Sequence, residues 1–172
     1  EVAALKASKQ GWACVGHKLD YAHRAWIQPG HWLTSDMQKA NEDAAALYAS
    51  WKKDVQVEEY RLEDAEVVLT AYGISARICK SAVELLRAQG VKAGLIRPIT
   101  VHPFPYAAYD HIDYSKVKAV LDVEMSIPAQ FVDDVAVAVK DRCPIETCLC
   151  SGGNIMSRGK VLAAAKKIVE GK

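Results

Sequence analysis

AEVVLTAYGISARICKSAVELLRAQGVKAGLIRPITVHPFP, residues 65–105, is the stretch that decides the fold. Its first nine residues form an apolar, β-branched run ending in Gly73, the composition of a strand buried on both faces. Residues 74–90 then place Ile78, Cys79, Ala82, Val83, Leu85 and Leu86 at helical spacing, with Gly90 as the C-terminal stop. A second apolar run, 91–97, returns to strand and breaks off among Pro98, Pro103 and Pro105, with Arg97 and His102 set between them. Each proline fixes its own φ and holds the residue before it out of the helical region, Arg97 and Phe104 included. The chain therefore leaves the sheet as a stiff ribbon displaying Arg97 and His102 at the strand's carboxyl end. No nucleophile, metal partner or acid–base pair stands beside them, so the prolines are read as steering the chain toward an interface.

The same rhythm continues downstream. Residues 116–124 (KVKAVLDVE) predict a strand. Residues 127–140 predict a helix with Val132, Val135, Ala136 and Val139 on one face and Pro128 in its first turn. PIETCLC, 144–150, predicts another strand, and 157–171 a helix capped by Ser157. Strands that alternate with helices and are nearly continuously apolar predict parallel pairing with right-handed crossovers. The expected fold class is α/β: a three-layer α/β/α domain with a mostly parallel sheet, over residues 61–172.

Residues 1–60 differ, and are expected to form a connector arm and helix. Ser35 followed by Gln38 has the spacing of a capping box. Met37, Ala40, Ala44, Leu47 and Trp51 mark an apolar stripe on a helix over 34–53 that must be buried against something. Upstream, aromatics and histidines recur without a period, as in an irregular extended arm. Trp12, Trp26 and Trp32 suggest that this arm packs on a surface outside the chain, or else wraps the α/β core.

Of the 172 residues, 51% are hydrophobic and 25% charged, and 22 Lys and Arg stand against 21 Asp and Glu. That near-balance supplies no field for nucleic acid or an anionic membrane. No window approaches the roughly 20 apolar residues of a membrane span. The opening EVAALKASKQGW has no apolar signal-peptide centre, so a soluble, cytoplasmic protein is expected. A start at Glu1 rather than Met suggests a piece of something longer. The five cysteines, an odd number, are expected to be free thiols. Cys143, Cys148 and Cys150 have a Cys-x4-Cys-x-Cys spacing that matches neither the common zinc nor the ferredoxin pattern. The strand reading uses them as small apolar residues; a redox or metal module built on them is the alternative.

Other chemical signatures fail on spacing. Gly73 lies where α/β folds cradle phosphate, yet neither GxGxxG nor GxxxxGK[ST] surrounds it. His17, His23, His31, His102 and His111 form no HExxH pair, and no serine sits in GxSxG. Glu124 falls at a strand end, on the edge where such sheets hold ligands. It could orient a base, pair with a partner's arginine, or cap its own helix.

Taken together, VVLTAYGISARICKSAVELLRAQGVKAGLIRPITVHPFP and VKAVLDVEMSIPAQFVDDVAVAV resemble the C-terminal, transketolase-C-like domain of the α subunit of 2-oxoacid:ferredoxin (or flavodoxin) oxidoreductases. The AYGxxAR turn, the LIRPITxxPFP run and the VEM closing the third strand carry the likeness, which spans roughly residues 57–170 and is most like the 2-oxoisovalerate type. The Cys-rich last strand departs from that pattern. The resemblance implies thiamine diphosphate held between the α chain's own N-terminal pyrimidine-binding domain and the diphosphate-binding domain of a β subunit, with Mg brought by a GDG motif. No GDG occurs here, nor the cysteine sets of an iron-sulfur subunit. It further implies oxidative decarboxylation of a 2-oxoacid to an acyl-CoA by the whole complex, with iron-sulfur clusters passing electrons to ferredoxin or flavodoxin. The chain alone is expected to bind no cofactor and to be inactive. Its share is assembly, with Arg97, His102 and Glu124 as interface candidates. A stand-alone flavodoxin-like nucleotide-binding module is the other class of reading.

Overall fold

The structure is a computed structural model that describes residues 30–171. The arm reading for 1–29, with Trp12, Trp26, Cys14, His17 and His23, lies outside the described residues. Two units meet between Leu47 and Tyr48.

Four apolar runs become parallel strands. They are β2 (Val67–Thr70), β3 (Ala93–Pro98), β4 (Ala119–Glu124) and β5 (Ile145–Leu149), and β1 (Val57–Tyr60) joins them antiparallel to β3. The sheet order is β1-β3-β2-β4-β5. Every residue of β2 and β4 is buried, as sheets covered by helices on both faces require. Alternation along the strands sorts the core. Leu69, Leu95, Leu121 and Val123 face α2 (Gly73–Ala88) and α4 (Arg158–Glu170). Val68, Ile96 and Val120 face α3 (Phe131–Val139) and the 3-10 turn Tyr106–His111. These are the three layers expected, with a mostly parallel sheet.

β1 has no counterpart in the sequence reading, because VEEY carries two glutamates and no apolar run. It is held by main-chain pairing to β3, with Glu58 opposite Arg97, and Gln56 extends the contact by accepting from the amides of Ile99 and Thr100 at 2.9 and 3.1 Å.

Two helix starts differ from expectation. α3 begins at Phe131 after a cis Ile127–Pro128 bond, so Pro128 precedes the helix instead of occupying its first turn. The start is set by a carboxylate, Glu124, which accepts the amides of Gln130 and Phe131. α1 (Thr34–Ser50) opens one residue before Ser35, with the Met37 amide on the Leu33 carbonyl at 3.1 Å. Ser35 then lies inside the first turn, and Gln38 bonds Glu42 at 2.7 Å, so the capping box does not form. α1 buries none of its residues, and Met37 and Leu47 of the expected stripe are exposed. Ser157 caps α4 as read, accepting from the Lys160 amide at 3.2 Å, and Gly90 ends the α2 turn at φ +84°.

Gly94 is required by a close approach. A Cβ there would stand 2.8 Å from the Arg61 carbonyl and 2.9 Å from Leu62. Gly94→Ala is expected to cost about 1–3 kcal/mol through overpacking, read as a lowered midpoint in urea unfolding. An unchanged midpoint would mean that the 61–62 turn does not press on β3.

Candidate functional site

All four parallel strands end on one edge, and the segments that follow them carry apolar side chains to the surface. Ile99 and Val101 follow β3, Tyr72 and Ile74 follow β2, Met125 and Ile127 follow β4, and Ile155 follows β5. In the unit from Tyr48 onward, these make up the exposed large hydrophobics apart from Tyr48, Tyr106 and Val137. Ile127 and Ile155 are 62% and 66% exposed. Exposed apolar side chains following the ends of all four strands point to an interaction site.

A row of rings supports this rim from below. Tyr72 lies edge-on to Phe131 at 5.1 Å, Phe131 is 5.8 Å from Phe104, and Phe104 stacks on Tyr109 at 5.7 Å. Phe104 is buried, so the loop that the prolines steer is also nailed to the core by its central aromatic. The Tyr109 hydroxyl pairs with Thr70 Oγ1 at 2.5 Å.

Arg97, His102 and Glu124 occupy three different settings, and no hydrogen bond joins any two of them. Arg97 donates from Nη1 to Glu58 at 3.0 Å, while its Nε is buried without an acceptor. Lys80 of α2 bonds the same carboxylate. That bond, opposed by burial and helped by Arg97, holds Glu58 below its ordinary value. His102 is exposed and stands edge-on to Tyr48 at 6.1 Å and Trp51 at 5.9 Å. These rings border an apolar groove of about 680 Å3, lined in part by Val101, Phe104 and Tyr106, with Lys52 and Asp134 as its charged members.

Glu124 is only 1% exposed. Its carboxylate accepts from the Gln130 amide at 2.9 Å, the Phe131 amide at 3.2 Å and the Ser126 hydroxyl. Burial works against the charge, but the bonds from Ser126, Phe131, Asp122 and Gln130 outweigh it and keep the carboxyl below its ordinary value. Of the roles weighed for Glu124, this is the cap.

The carboxyl-edge crevice between β2 and β4 is the position where doubly wound sheets bind nucleotides. Here it is about 150 Å3, bordered by Tyr72, Gly73, Ile74 and Glu124, below the roughly 300 Å3 at which small-molecule pockets begin. The α3 amides that would receive a phosphate are taken by Glu124, whose negative charge repels one. Gly73, at φ +56°, serves the strand-to-helix turn.

The cysteines do not converge. Cys143 packs against the α3-side core, whereas Cys148 and Cys150 belong to the α2-side core. Cys148 is buried 3.8 Å from the Met156 sulfur, and its thiol is pushed up by burial. No group of three or more His, Cys, Asp or Glu among the described residues could hold a metal. Asp122 escaped the sequence reading. It is fully buried on β4, its carboxyl oxygens receive no donor from the described residues, and its polar neighbour is the Glu124 carboxylate. Its signal was an acid inside an otherwise apolar strand, AVLDVE.

This combination defines a doubly wound α/β domain with an apolar carboxyl edge and a small crevice. The pattern of Pyruvate:ferredoxin oxidoreductase core domain II matches residues 65–161, and the chain belongs to that family. Over 117 residues it is 40% identical to the ketoisovalerate oxidoreductase subunit VorB of Methanothermobacter marburgensis, covering 68% of this chain and 32% of that protein. It is 36% identical over 97 residues to the NADH-dependent phenylglyoxylate dehydrogenase subunit alpha of Aromatoleum evansii, covering 53% and 23%. The chain thus spans about a third or less of these relatives. In fold it is similar to the 2-oxoglutarate:ferredoxin oxidoreductase of Magnetococcus marinus, solved with 2-oxoglutarate, coenzyme A and succinyl-CoA. The TM-score is 0.62 at 18% identity, over 81% of this chain and 24% of that one.

Replacing Glu124 with Ala should cost about 1–3 kcal/mol, because the α3 amides lose their acceptor in a buried place. Chemical denaturation would show this, and exchange of the Gln130 and Phe131 amides would rise ahead of the rest of α3. Unchanged exchange at these amides would contradict the cap.

Proposed function

We propose that the chain is an assembly domain of a thiamine diphosphate-dependent 2-oxoacid:ferredoxin or flavodoxin oxidoreductase, most like the branched-chain 2-oxoisovalerate type. The complete complex would decarboxylate a 2-oxoacid oxidatively to an acyl-CoA. One observation carries this reading: the carboxyl edge, where α/β domains usually place chemistry, is a rim of exposed apolar side chains around a small crevice bordered by its own glutamate. Membership in the family supports the assignment.

The rim docks against the rest of the enzyme. The expected partners are the N-terminal pyrimidine-binding domain of the same subunit, the diphosphate-binding β subunit and the iron-sulfur subunit. Thiamine diphosphate, Mg and the clusters would be held by those parts. Arg97 and His102 stand at the margins of the surface as candidate contacts, and Glu124 holds the turn that presents Ile127.

Calorimetry tests this directly. The 172-residue chain is expected to take up no thiamine diphosphate, whereas the complex that also contains the pyrimidine- and diphosphate-binding domains should bind it. Ile127→Asp and Ile155→Asp should leave the melting temperature of the chain unchanged and weaken assembly about tenfold or more, as truncation of interface anchors does. Saturable micromolar binding of thiamine diphosphate by the chain alone would overturn the reading.

A further inference from the structure

We propose that Asp122 is a buried neutral acid whose proton secures the Glu124 cap, making the pair an alkaline switch at the N-terminus of α3. Asp122 and Glu124 are two residues apart on β4 and so project to the same face of the sheet. Both are buried, at 0% and 1% exposure, but their surroundings differ. Glu124 accepts two amides and a hydroxyl, a donor set that favours the carboxylate. Neither Asp122 oxygen receives a donor from the described residues. The group that interacts with it most strongly is the Glu124 carboxylate, an acceptor. A hydrogen bond between two carboxyls exists only while one of them carries a proton, and the environments assign that proton to Asp122.

No cation among the described residues relieves the site. On β2 the opposite residue is Thr70, committed to Tyr109. The other titratable groups that sense Asp122 are Tyr109, Cys148 on β5 and Cys79 on α2, all of them neutral because burial raises them. α3 contributes only Asp133 and Asp134 in its first turn. Burial, followed by the bond to Glu124 and its charge, pushes Asp122 up to about 8. A carboxyl whose folded-state value lies above its ordinary value stabilises the fold only while protonated. That contribution is complete below the ordinary 3.8 and is used up as the pH climbs through about 8. Ionisation then sets two buried like charges against each other. The one with accessible donors is pulled from them, which frees the 126–131 turn and with it Ile127 of the rim. The switch is a property of this chain, whatever covers that rim.

The test joins two measurements on the full chain: carbon-13 titration of the Asp122 carboxyl, and amide exchange at Gln130 and Phe131 corrected for intrinsic rates. Asp122 is expected to titrate near 8, with protection at the two amides falling about tenfold over the same range, the size of a lost cap. Asp122→Asn, whose amide donates to Glu124 at every pH, should hold that protection flat. Titration of Asp122 in the ordinary carboxylate range would overturn the proposal. So would protection that stays flat in the native chain, or that falls equally in the Asn variant. Should the variant fail to fold, the native titration and its coincidence with the exchange midpoint decide.

Discussion

The register of β2 between its two parallel neighbours is the constraint on which the rest depends. Leu69 pairs with Leu95 on one side and Leu121 on the other, so three strands bring their leucines to one face together and end together. Parallel strands buried on both faces cannot slip by one residue without exchanging the side chains that fill the two cores. A common register means a common edge, and the chain leaving that edge from four strands brings Tyr72, Ile99, Ile127 and Ile155 to the surface. The rim is a consequence of sheet geometry, and its apolar character is what the sequence adds.

At the same edge the protein spends its polar groups on itself. Glu124, which in another domain of this shape could face a ligand, turns inward and caps the start of α3. Arg97 is drawn to Glu58 of the antiparallel edge strand. The large hydrophobic side chains left exposed there suit a partner surface rather than a small polar substrate.

The strands and helices from 65 to 171 were legible because their periods are clean: β2 is a β-branched apolar run, β4 is apolar but for Asp122 and Glu124, and α2 carries its apolar residues at steps of three and four. β1 was not legible, because VEEY is stabilised by main-chain pairing to β3 and by Lys80 and Arg97 on Glu58, partners separated from it by more than twenty residues. The start of α3 was missed for a related reason. Pro128 favoured an early first turn, but the acceptor for the helix amides comes from Glu124, seven residues before Phe131. Of the site, Arg97, His102 and Glu124 could be placed at strand ends from sequence, while their separate partners could not. Asp122 looked like one polar residue in a strand until burial on both faces of the sheet made it a group without donors.

The central claim, that the carboxyl edge is an interface, is tested most directly by carbene footprinting of aliphatic side chains on the chain alone and within the assembled oxidoreductase. The account predicts strong labelling of Ile99, Val101, Ile127 and Ile155 in the free chain and protection of these four on assembly, with Val137 on the outer face of α3 labelled equally in both. Equal labelling of the rim in both states, with protection confined to α3 or to β5, would contradict it.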